Sequence, residues 1–231
     1  MKESKLKKGT APAVEHFVQE YTKLRPLYKN FTQQIVELLK MLLDSANIKP
    51  HAIEGRTKEV AAFREKIIRS DKRYDDPLAQ VTDLSGVRII VYRIDDIQSV
   101  ASLIESEFTV NRNDSASKGI ELEPEEFGYQ SLHYVISLSR ERRKLPEWSK
   151  VRDLYAEVQI RTVLQHAWAQ ISHALQYKHE VEMTRDLRRR LARLASLLEL
   201  ADEEFSAIFK GKLEIQSKVA VTGPAEETSP E

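Results

Sequence analysis

The run Val87-Arg88-Ile89-Ile90-Val91-Tyr92-Arg93-Ile94, closed by Asp95-Asp96, constrains the fold more than any other segment of this chain. Five of its eight residues are β-branched. Such side chains are stiff at χ1 and suit a pleated surface, so the run reads as a buried strand. Asp95 with Gln98 three residues on then resembles a helix cap, and Ile97, Val100, Ala101 and Ile104 follow at helical spacing. A strand feeding an amphipathic helix is a βαβ-like beginning and points to an α/β (α+β) layered domain.

The remaining segments fit that class. Phe108 to Asn111 reads as a short strand, and Leu132–Leu138 and Leu154–Ile160 alternate apolar and polar residues, joined by a basic connection in a long hairpin. Residues 13–45 have helical periodicity and form two helices, or one kinked near Pro26. A helix over about 56–70 carries Val60, Phe63 and Ile67 inward, and one over 162–177 has Leu164, Trp168, Ile171 and Leu175 as its core stripe. A second stripe on that helix holds His166, Gln170, His173 and Tyr177. His166 and His173 stand about 10 Å apart along the axis and cannot chelate one metal alone, so both read as polar-face residues. Residues 184–209 form a further helix or helical pair, with Leu187, Leu191, Leu194 and Leu198 spaced for self-association. The expected organisation is an N-terminal helical region over 1–50, the main domain over 51–180, a C-terminal helical region over 181–212 and a disordered tail over 213–231.

Composition excludes several classes. The 231 residues contain no cysteine, so thiolate metal sites, disulfides and cysteine nucleophiles are ruled out. No apolar run is long enough to span a membrane, and Met1-Lys2-Glu3-Ser4-Lys5 opens nothing like a secretory signal, so a cytoplasmic location is expected. Basic and acidic residues balance at 36 each, but locally seven basic residues face three acidic ones between Arg56 and Arg73. That segment can meet an anion. Arg112 to Glu126 reads as a long polar loop, the length at which loops serve as lids or binding segments.

Two acids stand out because each interrupts or borders an apolar strand: Asp83 in Val81-Thr82-Asp83-Leu84-Ser85-Gly86-Val87-Arg88, and Glu157 in Ala156-Glu157-Val158-Gln159-Ile160-Arg161. A carboxylate in such a place faces solvent, pairs with a base such as Arg88 or Arg161, or holds a cation. Lys58 and Lys66, with Arg56, form a basic ridge suited to a polyphosphate. Neither a Gly-x-x-x-x-Gly-Lys-Ser/Thr loop nor a Gly-x-Gly-x-x-Gly turn occurs, which disfavours Walker-type and Rossmann enzymes. In Phe127-Gly128-Tyr129-Gln130-Ser131-Leu132-His133 the glycine leaves Tyr129 at a loop edge, where its ring can stack on a base or cover the core.

In order, Arg56-Thr57-Lys58 with Lys66, Asp83 to Arg88, Gly128 to His133, and Glu157 to Thr162 followed by Ala167-Trp168-Ala169 resemble the synthetase domain of the RelA/SpoT family. These are the alarmone pyrophosphokinases, here in a stand-alone form matched over about Ile53 to Lys178. The resemblance implies a mixed sheet of about five strands flanked by helices, related to nucleotidyltransferases. It implies transfer of the β,γ-pyrophosphate of ATP to the 3′-hydroxyl of GDP or GTP, making (p)ppGpp. Asp83 and Glu157 would hold Mg²⁺, with Glu157 also accepting the hydroxyl proton. Arg56, Lys58, Lys66 and Arg88 would bind ATP, and Tyr129, His133, Gln159 and Arg161 the acceptor. No membrane partner is implied, and a homo-oligomer through the C-terminal helices is expected. Where the family commonly has Lys-x-Asn before Gly-Tyr, this chain has Glu125-Glu126-Phe127, which repels acceptor phosphates unless Lys118 or the basic 140–152 segment compensates. Ala62 and Ser172 also stand where the family commonly has a Ser and an acid. The alternatives are a relative that pyrophosphorylates tRNA 3′ ends or an adenosine nucleotide, and a non-catalytic nucleotide sensor. No His-Asp dipeptide occurs, which speaks against a companion hydrolase.

Overall fold

The computed structural model describes residues 11–69, 74–118, 131–177 and 184–222. Five strands form one sheet: β1 (Ala52–Thr57), β2 (Ser85–Val91), β3 (Phe108–Lys118), β4 (Ser131–Leu138) and β5 (Ala156–Thr162), in the order β1-β2-β5-β4-β3. β2 and β5 are parallel and the other neighbours antiparallel, so the expected mixed five-stranded α+β architecture stands. Alternation decides the rest. Val87, Ile89, Val158, Ile160, Ile136 and Leu138 are buried on one face. They pack against Phe31, Ile35 and Leu39 of α1 (Ala11–Ser45) and Val100, Ala101 and Ile104 of α4 (Ile94–Glu107). Each fully buried aliphatic side chain there contributes about 1.5–3 kcal/mol. The intervening residues of the same strands, among them Arg56, Arg88, His133, Glu157, Gln159 and Arg161, belong to the opposite face.

α1 is one continuous helix across Pro26, because apolar residues on both sides of it, Tyr21 and Phe31, are fully buried and hold the helix down. It stops at Asn47, whose φ of 55° is the left-handed conformation that asparagine tolerates, with the Ile48 amide donating to Leu43 O at 2.9 Å.

Several sequence expectations are corrected. The helix expected from 56 is instead β1, followed by α2 (Val60–Ile68) and the single-turn α3 (Pro77–Gln80). β1 is a half-exposed edge strand without an apolar signature, and it crosses α1 so closely that a Cβ on Gly55 would lie 2.9 Å from Val36 Cγ2. α4 begins at Ile94 rather than behind an Asp95 cap. Asp95 lies in its first turn and pairs with Lys210 at 2.9 Å, while Arg93 pairs with Asp96. β3 runs on past Asn111 to Lys118 through a bulge, since backbone pairing with β4 needs no apolar side chains. On α5 (Val163–Tyr177), Leu164 and Trp168 are half-buried, but Ile171 and Leu175 are 55% and 50% exposed and are not core.

α6 (Arg185–Thr222) carries helix through 213–222, where a tail was expected, because Lys, Leu, Glu, Gln and Ala there are helix formers and the Gly-Pro stop comes only at 223–224. It is pinned to the sheet domain by polar contacts: the Thr162 hydroxyl donates to buried Asp202, and the Ile94 amide donates to Ser206 Oγ at 3.1 Å. Among the described residues no helix is long and apolar enough to cross a membrane.

Candidate active site on the open face of the sheet

Parallel pairing of β2 with β5 sets Gly86 beside Glu157 and Arg88 beside Gln159. A single 3-10 turn, Thr82–Leu84, precedes β2, and Asp83 within it departs from helical backbone (φ −98°, ψ 26°). This brings Asp83 to the strand ends where Glu157 stands. Both acids line one cavity of about 300 Å³, together with Glu54, Arg56, Lys58, Arg88 and Gln159.

The basic side of the cavity comes from three elements, not from one helical ridge. Arg56 is on β1, Lys58 in the link after it, and Lys66 on α2. Lys58 is fixed through its backbone: its amide donates to Leu84 O at 3.0 Å, and its carbonyl accepts from the buried Tyr21 hydroxyl at 2.7 Å and from Arg25 Nε at 3.1 Å. Its Nζ meets Asp83 Oδ2 at 2.5 Å, while Lys66 Nζ meets Oδ1 at 2.8 Å. Burial pushes the Asp83 carboxyl upward, but the hydrogen bonds and charges of the two lysines outweigh it and hold the group below the usual carboxylate range.

Glu157 has a different setting. His133 Nδ1 lies 2.8 Å from Oε1, and Gln159 Nε2 donates to the same oxygen at 3.0 Å. With Glu157 ionised, Nδ1 carries the proton, and Nε2 is free to accept from the Ser131 hydroxyl 2.6 Å away. Arg161 Nη2 donates to Gln159 Oε1. Burial, then the neighbouring Arg88, lowers Arg161 to about 10 despite Glu54 and Glu157. Arg88 Nη1 is 3.7 Å from Glu54.

Of the residues singled out in the sequence, Arg56, Lys58, Asp83, Arg88, Glu157 and Gln159 therefore meet at one cavity. Lys66 joins through Asp83, His133 through Glu157 and Arg161 through Gln159. Tyr129 lies outside the described residues, as do Glu125 and Glu126. Glu54 and Ser131 were not anticipated. Alternation along β1 would have put Glu54 on the same face as Arg56, had that segment been read as a strand. Among the described residues no group of three or more His, Asp or Glu is gathered for a metal, so a cation here would have two carboxylates as protein ligands.

Residues 55–182 match the family described as the region found in RelA / SpoT proteins. The chain belongs to the RelA/SpoT family. With that membership comes the expected enzyme class, a pyrophosphokinase. Its RelA/SpoT relatives include the GTP pyrophosphokinase YjbM of Bacillus subtilis (strain 168), 32% identical over 162 residues, covering 68% of this chain and 70% of that protein. The small alarmone synthetase 1 from Bacillus subtilis bound to its product pppGpp is similar at TM-score 0.68 and 27% identity, covering 87% of this chain and 99% of that one. The same synthetase bound to AMPCPP gives TM-score 0.65 at 26% identity, covering 85% and 98%.

Proposed function

We propose that this chain is a Mg²⁺-dependent pyrophosphokinase that transfers the β,γ-pyrophosphate of ATP to the 3′-hydroxyl of GDP or GTP. The 3′-oxygen bonds to the β-phosphorus, the bond between that phosphorus and the α,β-bridging oxygen breaks, AMP leaves, and the hydroxyl proton goes to Glu157. The observation that supports this most is the convergence of Asp83 and Glu157, from distant segments, on a cavity whose other walls carry Arg56, Lys58 and Arg88. Such a transfer needs in-line alignment and neutralised charge more than covalent chemistry.

Two carboxylates are a hard-oxygen donor set that suits Mg²⁺, which keeps several waters and takes substrate phosphate oxygens as its remaining ligands. Bound there by Asp83 and Glu157, the ion would supply charge neutralisation at the transferring group. Lys58 and Lys66 sit on the Asp83 oxygens and supply positive charge at that carboxylate. With nucleotide bound, their ammonium groups would neutralise its phosphates. Arg56 would stack on the adenine, and Arg88 would neutralise donor phosphate. Tyr129 would stack on the acceptor base, with His133, Gln159 and Arg161 around the acceptor. A tRNA 3′ end or an adenosine nucleotide is the second reading, supported by Glu125 and Glu126 in the sequence.

The test is to incubate the protein and Mg²⁺ with ATP labelled in its terminal phosphate, offering GDP, GTP, ATP and tRNA separately. Label on GDP and GTP supports the first reading, label on tRNA or ATP alone supports the second, and label on none refutes both.

A homo-oligomer through α6 is part of the same proposal. Leu194, Leu197, Ile208, Leu213 and Ile215 are each more than half exposed along it, and burying such side chains between copies is favourable. The location proposed is cytoplasmic.

A further inference from the structure

We infer that Thr32 of α1 is a positioning residue for the donor nucleotide: its hydroxyl ties the end of β1 to the start of β2 and so sets the spacing between Asp83 and the cations that face it. The donor is the ATP of the function proposed above, and the inference rests on that reading. Arg56 and Lys58 line the cavity together with Asp83. Thr57 stands between them, and alternation turns it the other way, toward α1, as it does Ser85, its register partner on β2. Thr32 meets both hydroxyls. Its Oγ1 lies 3.1 Å from Thr57 Oγ1 and 2.8 Å from Ser85 Oγ, and Thr32 and Ser85 are buried.

A threonine hydroxyl has one proton and two lone pairs. Thr32 gives its proton to the Tyr28 carbonyl at 2.8 Å, which leaves both lone pairs to accept, so the Thr57 and Ser85 hydroxyls each donate to it. One oxygen thereby makes every bond open to it, one to each of α1, β1 and β2. Apolar side chains of the same shape would fill this space with similar stability, because a buried hydrogen bond contributes little net free energy. They would lack direction. A satisfied polar cluster fixes one arrangement of the elements it joins, so the service of these hydroxyls is geometry.

The place of the cluster ties that geometry to the site. Thr57 opposite Ser85 is the last rung of the β1–β2 ladder. One step on, the Lys58 amide donates to Leu84 O at 3.0 Å, and beside that contact Lys58 Nζ meets Asp83 Oδ2 at 2.5 Å. Tyr21 and Arg25 hold the Lys58 carbonyl from α1, but neither bond bears on the strand that Asp83 precedes. Thr32 reaches both strands. A slip of one against the other would part Lys58 from Asp83 and carry Arg56 with it. The Thr32 methyl also closes on Gly55, where an added Cβ would lie 3.1 Å from it, so shape and hydrogen bonding must be separated by experiment.

Thr32→Val keeps the branched shape and removes the hydroxyl, whereas Thr32→Ser keeps the hydroxyl and removes the methyl. Both should melt earlier than wild type, the first through two stranded donors and the second through lost packing. Metal-free equilibrium binding of a non-hydrolysable ATP analogue to the full chain, measured below each melting transition, tells them apart. Thr32→Val should weaken the analogue about tenfold, and Thr32→Ser should stay within about threefold of wild type. GDP binding should be the same in all three proteins. Ser85→Ala leaves Thr32 an unused lone pair instead of a stranded donor, and should weaken the analogue about threefold with GDP unchanged. Affinity that follows melting temperature, equal loss for GDP, or no loss in Thr32→Val would each overturn the assignment, as would an unaltered Ser85→Ala even if Thr32→Val did not fold. The expected pattern combined with no label transfer by the wild type would refute the proposed reaction and leave the positioning role standing.

Discussion

The two acids of the cavity are held in opposite ways. Asp83 is clamped by two ammonium groups, one on each oxygen. Glu157 is held by a histidine ring and a neutral amide, both on the same oxygen, Oε1. A carboxylate paired with two full cations stays ionised and is a poor proton acceptor. One hydrogen-bonded by an imidazole and an amide lacks that clamp of two ammonium groups. In the reaction proposed above, that contrast would divide the labour: Asp83 would organise positive charge, and Glu157 would take the proton.

The strongest challenge to that division is Glu157→Gln, which keeps the shape but removes the base. Transfer should fall by about 10²–10⁴-fold, measured as initial rate, with metal-free ATP binding little changed. Near-normal rates would end the assignment of Glu157 as base. Asp83→Asn should cost about a hundredfold or more in rate, yet it frees Lys58 and Lys66, so metal-free ATP should bind more tightly than to wild type. Weaker metal-free binding would mean that the lysines do not serve the donor.

Acidity sharpens the comparison further. The folded pKa of Asp83 is depressed, so its contribution to stability is present at neutral pH and is lost as pH falls through that lowered value. Asp202, on the buried side of α6, behaves in reverse: burial raises it to about 7, so the folded state binds the proton more tightly than the unfolded one. Its contribution is complete below the ordinary carboxylate range and is lost as pH rises through about 7. Thermal melting from pH 5 to 8 should show that decline in wild type and a flatter profile in Asp202→Asn. An unchanged slope would show that Asp202 is not its source.

Smaller effects test how the basic wall is built. Gly55→Ala puts a Cβ 2.9 Å from Val36 Cγ2 and 3.1 Å from Thr32 Cγ2, and should destabilise the chain by about 1–3 kcal/mol in denaturant melts. Paired with Val36→Ala the loss should shrink, and an unchanged loss would put the strain elsewhere. The least effect on rate is expected from Leu194→Ser with Ile208→Ser, which should lower the oligomeric state in light scattering. A wild-type monomer would remove that role from α6.

Much of this arrangement was legible in the sequence where periodicity and chemistry coincide. The β-branched run through Val91 fixed a central strand, and the spacing of Glu157, Gln159 and Arg161 put three polar groups on one face of another. Legibility failed where backbone geometry or distant partners decide. β1 has no apolar pattern because it is a half-exposed edge strand, and its place is set by the close approach of Gly55 to α1. The outer half of β3 is polar and is ordered by pairing alone. Asp83 was expected to face solvent, meet Arg88 or hold a cation. Its lysine partners lie 17 and 25 residues away, and only the assembled sheet brings them to it. The exposed stripe of α5 reads as core because periodicity reports an apolar face and not what covers it.

Whether the two carboxylates serve one reaction centre is answered most directly by initial rates of label transfer from ATP to GDP in Asp83→Asn, Glu157→Gln and the double variant. Groups acting as a unit lose nearly everything with the first removal, so the double variant should be no slower than the slower single one. Independent, multiplicative losses, or a single variant within about tenfold of wild type, would contradict a shared centre.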